Sequence, residues 1–179
     1  CPNRDGTIAR GGCTFCLNEA FSPSYCRQTK SITEQIDRAL EFHSARGRKA
    51  NVYLAYFQSG SNTHAPIDHL KRIYFEALSH PAITGIIIGT RPDCISSEIL
   101  QLFADISQHY YIAIEYGVES VYDTTLSHVN RGHNFATAKA AIAATKGLNI
   151  DVGAHFILGL PNESRTAIIE GIPHINALG

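Results

Sequence analysis

Four apolar runs alternate with segments of helical periodicity along the 179 residues of this chain. Several runs are nearly continuous in Val, Ile, Tyr and Phe, which is typical of strands that are covered on both faces in a parallel sheet. The helices between them supply the crossovers that parallel strands require. The sequence therefore predicts an α/β protein with a parallel sheet, open or curled into a barrel. The predicted strands are residues 51–57, 83–89, 110–116 and 151–158.

Local signals mark where the helices begin and end. Ser31 and Glu34 fit a capping box, and Pro66 suits the first position of the next helix. A third helix is predicted around residues 99–106, and a fourth from residue 134 to Gly147, which is predicted to adopt the left-handed conformation. A helix that begins near residue 164 is predicted to be interrupted by the Gly and Pro that follow.

The composition indicates how many domains the chain forms and which partners and compartment suit it. Hydrophobic residues make up 44% of the chain and the net charge is −1, which fits one core domain over residues 1–179 without a field that attracts nucleic acid. No run reaches the roughly 18 apolar residues of a membrane span, so no membrane contact is expected. The chain opens on Cys1 and contains no Met, so we expect it to be part of a longer protein. Five cysteines clustered towards one end favour a reducing, cytoplasmic compartment.

Polar and small residues follow each predicted strand. Chemistry in parallel α/β folds sits at the carboxyl ends of the strands, so these segments are the candidate site. Each segment taken alone is ordinary turn composition. Together they predict a ligand-binding rim, formed by QSGSNTHAP (58–66), TRPDC (90–94), EYGVES (115–120) with NRGH (130–133), and HFILGLPNES (155–164).

Three cysteines, Cys1, Cys13 and Cys16, lie in the Gly-rich opening segment CPNRDGTIARGGCTFC. Thiolates are soft ligands for zinc or iron–sulfur clusters, and a flexible loop can bring three of them around one centre. Three ligands would leave one coordination position open for chemistry, whereas Cys26 as a fourth would close a structural zinc or iron–sulfur site. The cysteines alone leave both interpretations open, and a thioredoxin-like redox pair is less consistent with the spacing.

The five motifs, in order and spacing, resemble those of the radical S-adenosylmethionine (radical SAM) superfamily, in particular a YhcC-like group related to the elongator-type enzymes. The resemblance covers nearly the whole chain. It implies a partial (β/α)6 TIM-like barrel that is incomplete here, with a cluster loop in residues 1–30. It also implies that Cys1, Cys13 and Cys16 bind a [4Fe-4S] cluster whose fourth iron is chelated by S-adenosylmethionine.

The resemblance also assigns residues to the S-adenosylmethionine site. Phe15 would lie near the adenine, and Glu119 and Arg131 would contact the ribose and the carboxylate end. The remaining implied contacts are Ser59, Ser61, Asn62 and Thr63, which would hold the methionine amino group, and His155, which would line the adenine. Two departures weaken the individual contacts: no GGE follows the first strand, and Asn162 stands where relatives often have Gly.

The implied reaction is reductive cleavage of S-adenosylmethionine to a 5′-deoxyadenosyl radical that acts on an unknown substrate. It needs a low-potential electron donor and no side chain acting as acid or base, so the catalytic residues are unknown. The elongator-type relationship suggests tRNA as a substrate, but the charge does not support it. The remaining alternative is a barrel enzyme with Glu115 and His155 as acid and base, in which the cysteines have no function.

Overall fold

The computed structural model describes residues 1–17, 20, 22–26, 31–48 and 50–179. The predicted cluster loop, residues 1–30, therefore lies partly outside the described residues. Four strands form one sheet in the order β1–β2–β3–β4, and every neighbouring pair is parallel. The α/β class and the parallel sheet are confirmed. The strands are β1 (Tyr53–Phe57), β2 (Ile83–Thr90), β3 (Tyr111–Glu119) and β4 (Asp151–Phe156).

Helices connect the strands, and most begin at a side-chain cap. Ser31, Ser96, Asn134 and Ser164 each accept a hydrogen bond from the backbone N–H three residues on. α5 was not predicted from the sequence. The helices are α1 (Pro2–Asp5), α2 (Ile32–Ser44), α3 (Ile67–Leu78), α4 (Ser97–Ser107), α5 (Asp123–His128), α6 (Phe135–Lys146) and α7 (Arg165–Asn176), with 3-10 turns at Ser24–Cys26 and Pro92–Cys94.

Two predicted helix features are wrong. Gly147 does not take the left-handed conformation, because its φ is −60° and the chain makes one more turn before Asn149 reverses it at φ 57°. The predicted interruption of α7 is also wrong, since the helix runs unbroken through Gly171 and Pro173. Gly171 permits a close approach there, because a Cβ would come within 3.2 Å of the Val121 side chain.

The two faces of the sheet differ in chemistry. Helices α3, α4 and α6 cover one face. Tyr116 of β3 and Phe103 of α4 are fully buried in that core. The opposite face, called the open face below, carries Tyr56, Glu115 and His155, all at least partly exposed. Among the described residues, no helix combines the length and apolar character that a membrane span requires.

Candidate functional site

The buried Cys13 sulfur lies at the carboxyl-end rim of the sheet. Arg91, directly after β2, places Nη1 3.8 Å from this sulfur, and Arg131, beyond α5, places Nη1 3.6 Å from it. The Asn3 amide donates a third hydrogen bond over 3.5 Å. All four residues are at least nine-tenths buried. The rim predicted from the strand-end motifs therefore includes one of the three predicted cluster ligands.

The cysteine loop is fixed to the NRGH segment by hydrogen bonds. The Thr14 N–H donates to the Val129 carbonyl over 3.0 Å, and Asn130 Nδ2 donates to the Gly12 carbonyl over 2.8 Å. Asn3 Nδ2 donates in return to the Asn130 carbonyl. Because these contacts join residues more than 100 positions apart, the loop position depends on the folded barrel and not on local sequence.

The loop also contacts the residues that follow β1. His64 Nε2 lies 2.7 Å from Asp5 Oδ2, and the Ser22 and Ser59 hydroxyls are 3.3 Å apart. Hydrogen bonds from Thr7, and then His64, hold the pKa of the Asp5 carboxyl well below its usual range. The segments after β1, after β2 and after α5 therefore all converge on the cysteine loop.

Each arginine beside Cys13 is paired with a carboxylate. Arg91 makes two bonds to Asp93, of 2.8 and 2.7 Å. Burial disfavours the charged form of Asp93, but these bonds outweigh it and lower the pKa of that carboxyl. Arg131 donates to the Gly117 carbonyl and lies 3.3 Å from Glu119 Oε1. Burial raises the pKa of Glu119 although Arg131 acts in the opposite direction.

Several buried polar atoms near this network have no hydrogen bond partner among the residues that the structure describes. They belong to Asn3 (Oδ1), Ser61 (Oγ), Arg131 (Nε) and His133 (Nε2). An unsatisfied buried polar group costs about 1–3 kcal/mol, so such groups usually face a ligand or ordered water. Asn3 and Arg131 also contact the Cys13 sulfur, and the Ser61 hydroxyl has the Cys94 thiol as its polar neighbour. These atoms are available to a bound group at the rim.

Two of the predicted cofactor contacts are already occupied by the protein. Asn62 Nδ2 donates to the carbonyls of Phe57 and Gly89, 3.0 and 2.8 Å away, and so joins the ends of β1 and β2. The Thr63 hydroxyl lies 2.6 Å from that of Thr90 and donates to the Cys94 carbonyl. Both side chains therefore have structural roles at the rim.

The other predicted site residues divide into those in the loop and those on the sheet. Phe15 is half-buried in the turn that the Cys16 N–H closes on the Cys13 carbonyl over 3.0 Å. Cys1 is exposed and Cys16 is partly buried. Within the described residues, no three Cys, His, Asp or Glu side chains are grouped so that they could hold a metal ion. The three cysteines share one loop without forming a preassembled ligand set.

His155 lies on the open face beside the Cys13 network, because it is the register partner of Gly117, whose carbonyl accepts from Arg131. Its Nε2 is 2.8 Å from Glu115 Oε2, and the Tyr56 hydroxyl donates to the same oxygen. Burial and the bond to Glu115 raise the pKa of Tyr56. These three residues, called the open-face triad below, adjoin the rim, because Tyr56 and His155 are each one residue from the carboxyl end of their strand.

A cleft of about 490 Å³ opens between the segments after β1 and β2. Its lining includes His64, Asp93 and Cys94, so it adjoins the Asp5 and Arg91 contacts of the cysteine loop. Small-molecule sites usually have volumes of about 300–1,000 Å³. The cleft is large enough for a cofactor-sized ligand beside the cysteine loop.

Sequence reasoning missed the roles of Arg91 and Asn3. Both stand inside quoted motifs, Asn3 in the cysteine segment and Arg91 in TRPDC, but neither was assigned a function. A basic residue directly after a buried strand, at the predicted rim, was the available signal for Arg91. No local pattern reveals that Asn3 reaches both Cys13 and Asn130.

The residues present fit an anionic iron–sulfur cluster. Thiolate ligands are stabilised by N–H donors to sulfur and by nearby positive charge. Cys13 has both, from Asn3, Arg91 and Arg131. The Gly-rich loop provides two further cysteines in the same segment.

Comparison with known sequences gives a consistent family. The sequence profile of the radical SAM superfamily matches residues 6–170. The chain is 37% identical over 180 residues to Protein YhcC of Escherichia coli K12. The alignment covers all of this chain and 57% of that protein, so the chain spans little more than half the length of this relative. Elongator complex protein 3 of Mus musculus is 29% identical over 105 residues, which cover 58% of this chain and 17% of that protein.

Solved structures share the fold. The Elp3 protein of the archaeon Methanocaldococcus infernus superposes with a TM-score of 0.65 at 20% identity, covering 79% of this chain and 37% of that one. The cobalamin-dependent S-adenosylmethionine radical enzyme OxsB superposes with a TM-score of 0.56 at 16% identity, covering 90% of this chain and 24% of that one. The predicted partial TIM-like barrel of radical SAM type is confirmed.

Proposed function

This chain belongs to the radical SAM superfamily, and from that membership we propose that it binds a [4Fe-4S] cluster through Cys1, Cys13 and Cys16 and cleaves S-adenosylmethionine reductively. Membership supports an enzyme of the radical SAM class. The cluster ligands, the cofactor contacts and the substrate are proposals that superfamily membership does not itself supply.

The observation that carries the proposal is the environment of the Cys13 sulfur. Two buried guanidiniums and a buried amide point at this one sulfur. Burying two cations is costly unless anionic partners compensate. Asp93 and Glu119 compensate the guanidiniums in part, and a metal-bound thiolate would add a further anion at the centre of the network.

When bound, the cluster would supply the electron that breaks the sulfonium carbon–sulfur bond and yields methionine and a 5′-deoxyadenosyl radical. The chain contributes binding and orientation. Asn62 and Thr63 fix the ends of β1 and β2, and the buried Ser61 hydroxyl could accept the methionine amino group. Glu119 and Arg131 would contact the ribose and carboxylate end, while Phe15 would lie near the adenine.

The open-face triad is the best-supported position for the substrate. The Tyr56 hydroxyl and His155 Nε2 both bond to Glu115 Oε2 on the open face, beside the rim. Because Glu115 holds its Nε2, we propose that His155 faces the substrate and not the adenine. The same geometry brings together the acid–base pair considered from sequence, for which we propose a role in positioning substrate.

A closed metal site completed by Cys26 is the second candidate. Cys26 ends the 3-10 turn Ser24–Cys26, whose Tyr25 ring stacks 5.1 Å from Phe42 of α2. This position beside α2 favours a packing role, and burial raises the pKa of the Cys26 thiol. A low-pKa thiolate ligand would need the opposite environment.

A tRNA substrate rests on the resemblance alone. The basic residues after α2 include Arg46, which lies 3.5 Å above the Phe42 ring, and Arg48. Lys49 lies outside the described residues. We also propose a low-potential electron donor as partner and a cytoplasmic location, because reduced thiols and an oxygen-sensitive cluster require a reducing compartment.

Anaerobic reconstitution with iron and sulfide, followed by reduction with S-adenosylmethionine present, tests the proposal. We expect 5′-deoxyadenosine from the unaltered protein, none from Cys13→Ala or Cys16→Ala, and continued formation from Cys26→Ala. Loss of the bound metal in Cys26→Ala would favour the closed site. Product formation by Cys13→Ala would contradict the proposed ligand set.

A further inference from the structure

The sulfur of Cys13 is a convergence point for hydrogen bond donors from three separate segments. Asn3 comes from the cysteine loop itself, Arg91 from the segment after β2, and Arg131 from the segment after α5. Each donor is fixed by a second bond to the protein: Asn3 to the Asn130 carbonyl, Arg91 to Asp93, and Arg131 to the Gly117 carbonyl. The donors are thus held in place before any cofactor binds.

Of the three donors, Arg131 is the one that lies near both proposed cofactor sites. Nη1 contacts the Cys13 sulfur, while Nη2 contacts the Gly117 carbonyl and lies 3.3 Å from Glu119. Its Nε is buried and has no hydrogen bond partner within the described part of the chain. Arg91 reinforces the link, because its Nη2 donates to the Arg131 carbonyl over 2.7 Å. The guanidinium therefore bridges the predicted cluster ligand and the end of β3.

Reduction adds an electron to a centre that thiolate ligands already make anionic. N–H donors to a ligand sulfur and nearby positive charge stabilise the reduced state more than the oxidised state. Both guanidiniums lie in a protein interior where such interactions are weakly screened. Removing a donor from Cys13 should therefore make reduction harder.

We propose that Arg131, supported by Arg91, is a positioning residue that raises the midpoint potential of the cluster through its hydrogen bond to the Cys13 sulfur. The inference rests on the proposed function, since it needs the cluster on Cys13. It goes beyond that function because it gives Arg131 an effect on the cluster potential in addition to contact with S-adenosylmethionine. A residue that only bound S-adenosylmethionine would not affect the potential in the absence of S-adenosylmethionine.

The test is a redox titration followed by electron paramagnetic resonance on the reconstituted full chain without S-adenosylmethionine. The variants are Arg131→Gln, Arg131→Lys and, as a matched control, Arg72→Gln on the exposed surface of α3. Iron and sulfide content are measured for each. We expect a more negative midpoint for Arg131→Gln, a smaller shift in the same direction for Arg131→Lys, and no shift for Arg72→Gln.

Equal midpoints for the unaltered protein and Arg131→Gln, at equal cluster content, would overturn the inference and leave the proposed function intact. If Arg131→Gln does not fold, the folded Arg131→Lys variant decides, because a wild-type midpoint there also overturns the inference. Absence of a cluster from the unaltered protein would overturn both.

Discussion

The Cys13 sulfur lies 3.6 Å from Nη1 of Arg131, although the two residues are 118 positions apart in the chain. This contact joins the cysteine loop to the segment after α5 at the carboxyl-end rim. It connects Cys13, which the family resemblance implies is a cluster ligand, with Arg131, which the resemblance implies contacts S-adenosylmethionine. The two halves of the proposed reaction therefore share one buried network.

The first prediction concerns how the loop is held. Asn130→Gly removes the hydrogen bond to the Gly12 carbonyl but keeps the backbone relaxed, because Asn130 has a φ of 53° that Gly adopts readily. Losing about 1 kcal/mol of hydrogen bonding should expose the buried Cys13 thiol about fivefold more often. Alkylation of the Cys13 peptide in the cluster-free protein, measured by mass spectrometry, reports this opening.

Asn149→Gly is the matched control, because Asn149 has a φ of 57° and lies in the exposed turn after α6. Cys13 in the Asn149→Gly variant should be alkylated at the same rate as Cys13 in the unaltered protein. Equal rates for Asn130→Gly would show that the Asn130 bond does not hold the loop.

The second prediction concerns pH. Burial, and then the Arg131 cation, lower the pKa of His133 from 6.5 to about 4. Between these values the unfolded chain binds a proton that the folded protein does not, so this residue makes the free energy of unfolding fall as pH falls from 6.5 to 4. His133→Gln should flatten that dependence in urea titrations of the cluster-free protein.

The exposed His109 provides the control for this titration. His109→Gln should keep the pH dependence of the unaltered protein. A His133→Gln variant with the same slope as the unaltered protein would contradict the role given to burial.

The third prediction concerns the core. Phe103 on α4 is fully buried, so Phe103→Ala should lower the free energy of unfolding by about 3–5 kcal/mol through lost burial and the cavity left behind. Phe75 on α3 is 43% exposed. Phe75→Ala should cost about 1 kcal/mol or less. Equal losses in urea denaturation would mean that α4 does not pack on the sheet as described.

The fourth prediction separates the rim from the open-face triad. Glu119→Gln should weaken S-adenosylmethionine binding about tenfold, because a charged hydrogen bond at the rim is lost. His155→Gln should weaken it about threefold or less, since Glu115 holds His155 Nε2. Calorimetry on the reconstituted protein compares the two dissociation constants. An equal loss in His155→Gln would return His155 to the adenine site.

Much of the fold could be predicted because strand and helix periods are local. The core strands β2 and β3 were found from runs of Ile and Tyr, and the Ser31 cap from its spacing to Glu34. Errors arose where tertiary contacts matter, as at Gly171, where the missing side chain leaves room for Val121 beside an unbroken α7. α5 is only six residues long and carries no strong periodic signal.

The candidate site was predictable in outline and not in its connections. The strand-end rule located Arg131 and Glu119 together, because both motifs end at the same edge of the sheet. It could not show that Asn62 and Thr63 are used to join β1 to β2, since turn residues of the same type serve either role. The pairing of Cys13 with Arg91 and Arg131 depends on long-range folding that no local spacing encodes.

The central claim is that three thiolates of the cysteine loop leave one iron open to S-adenosylmethionine. Electron–nuclear double resonance on the reduced, anaerobically reconstituted protein tests it directly when S-adenosylmethionine carries a ¹⁵N-labelled amino group. We predict a ¹⁵N hyperfine coupling to the cluster, which shows direct coordination of the cofactor to iron. A loaded cluster that shows no coupling with saturating cofactor would contradict the open position.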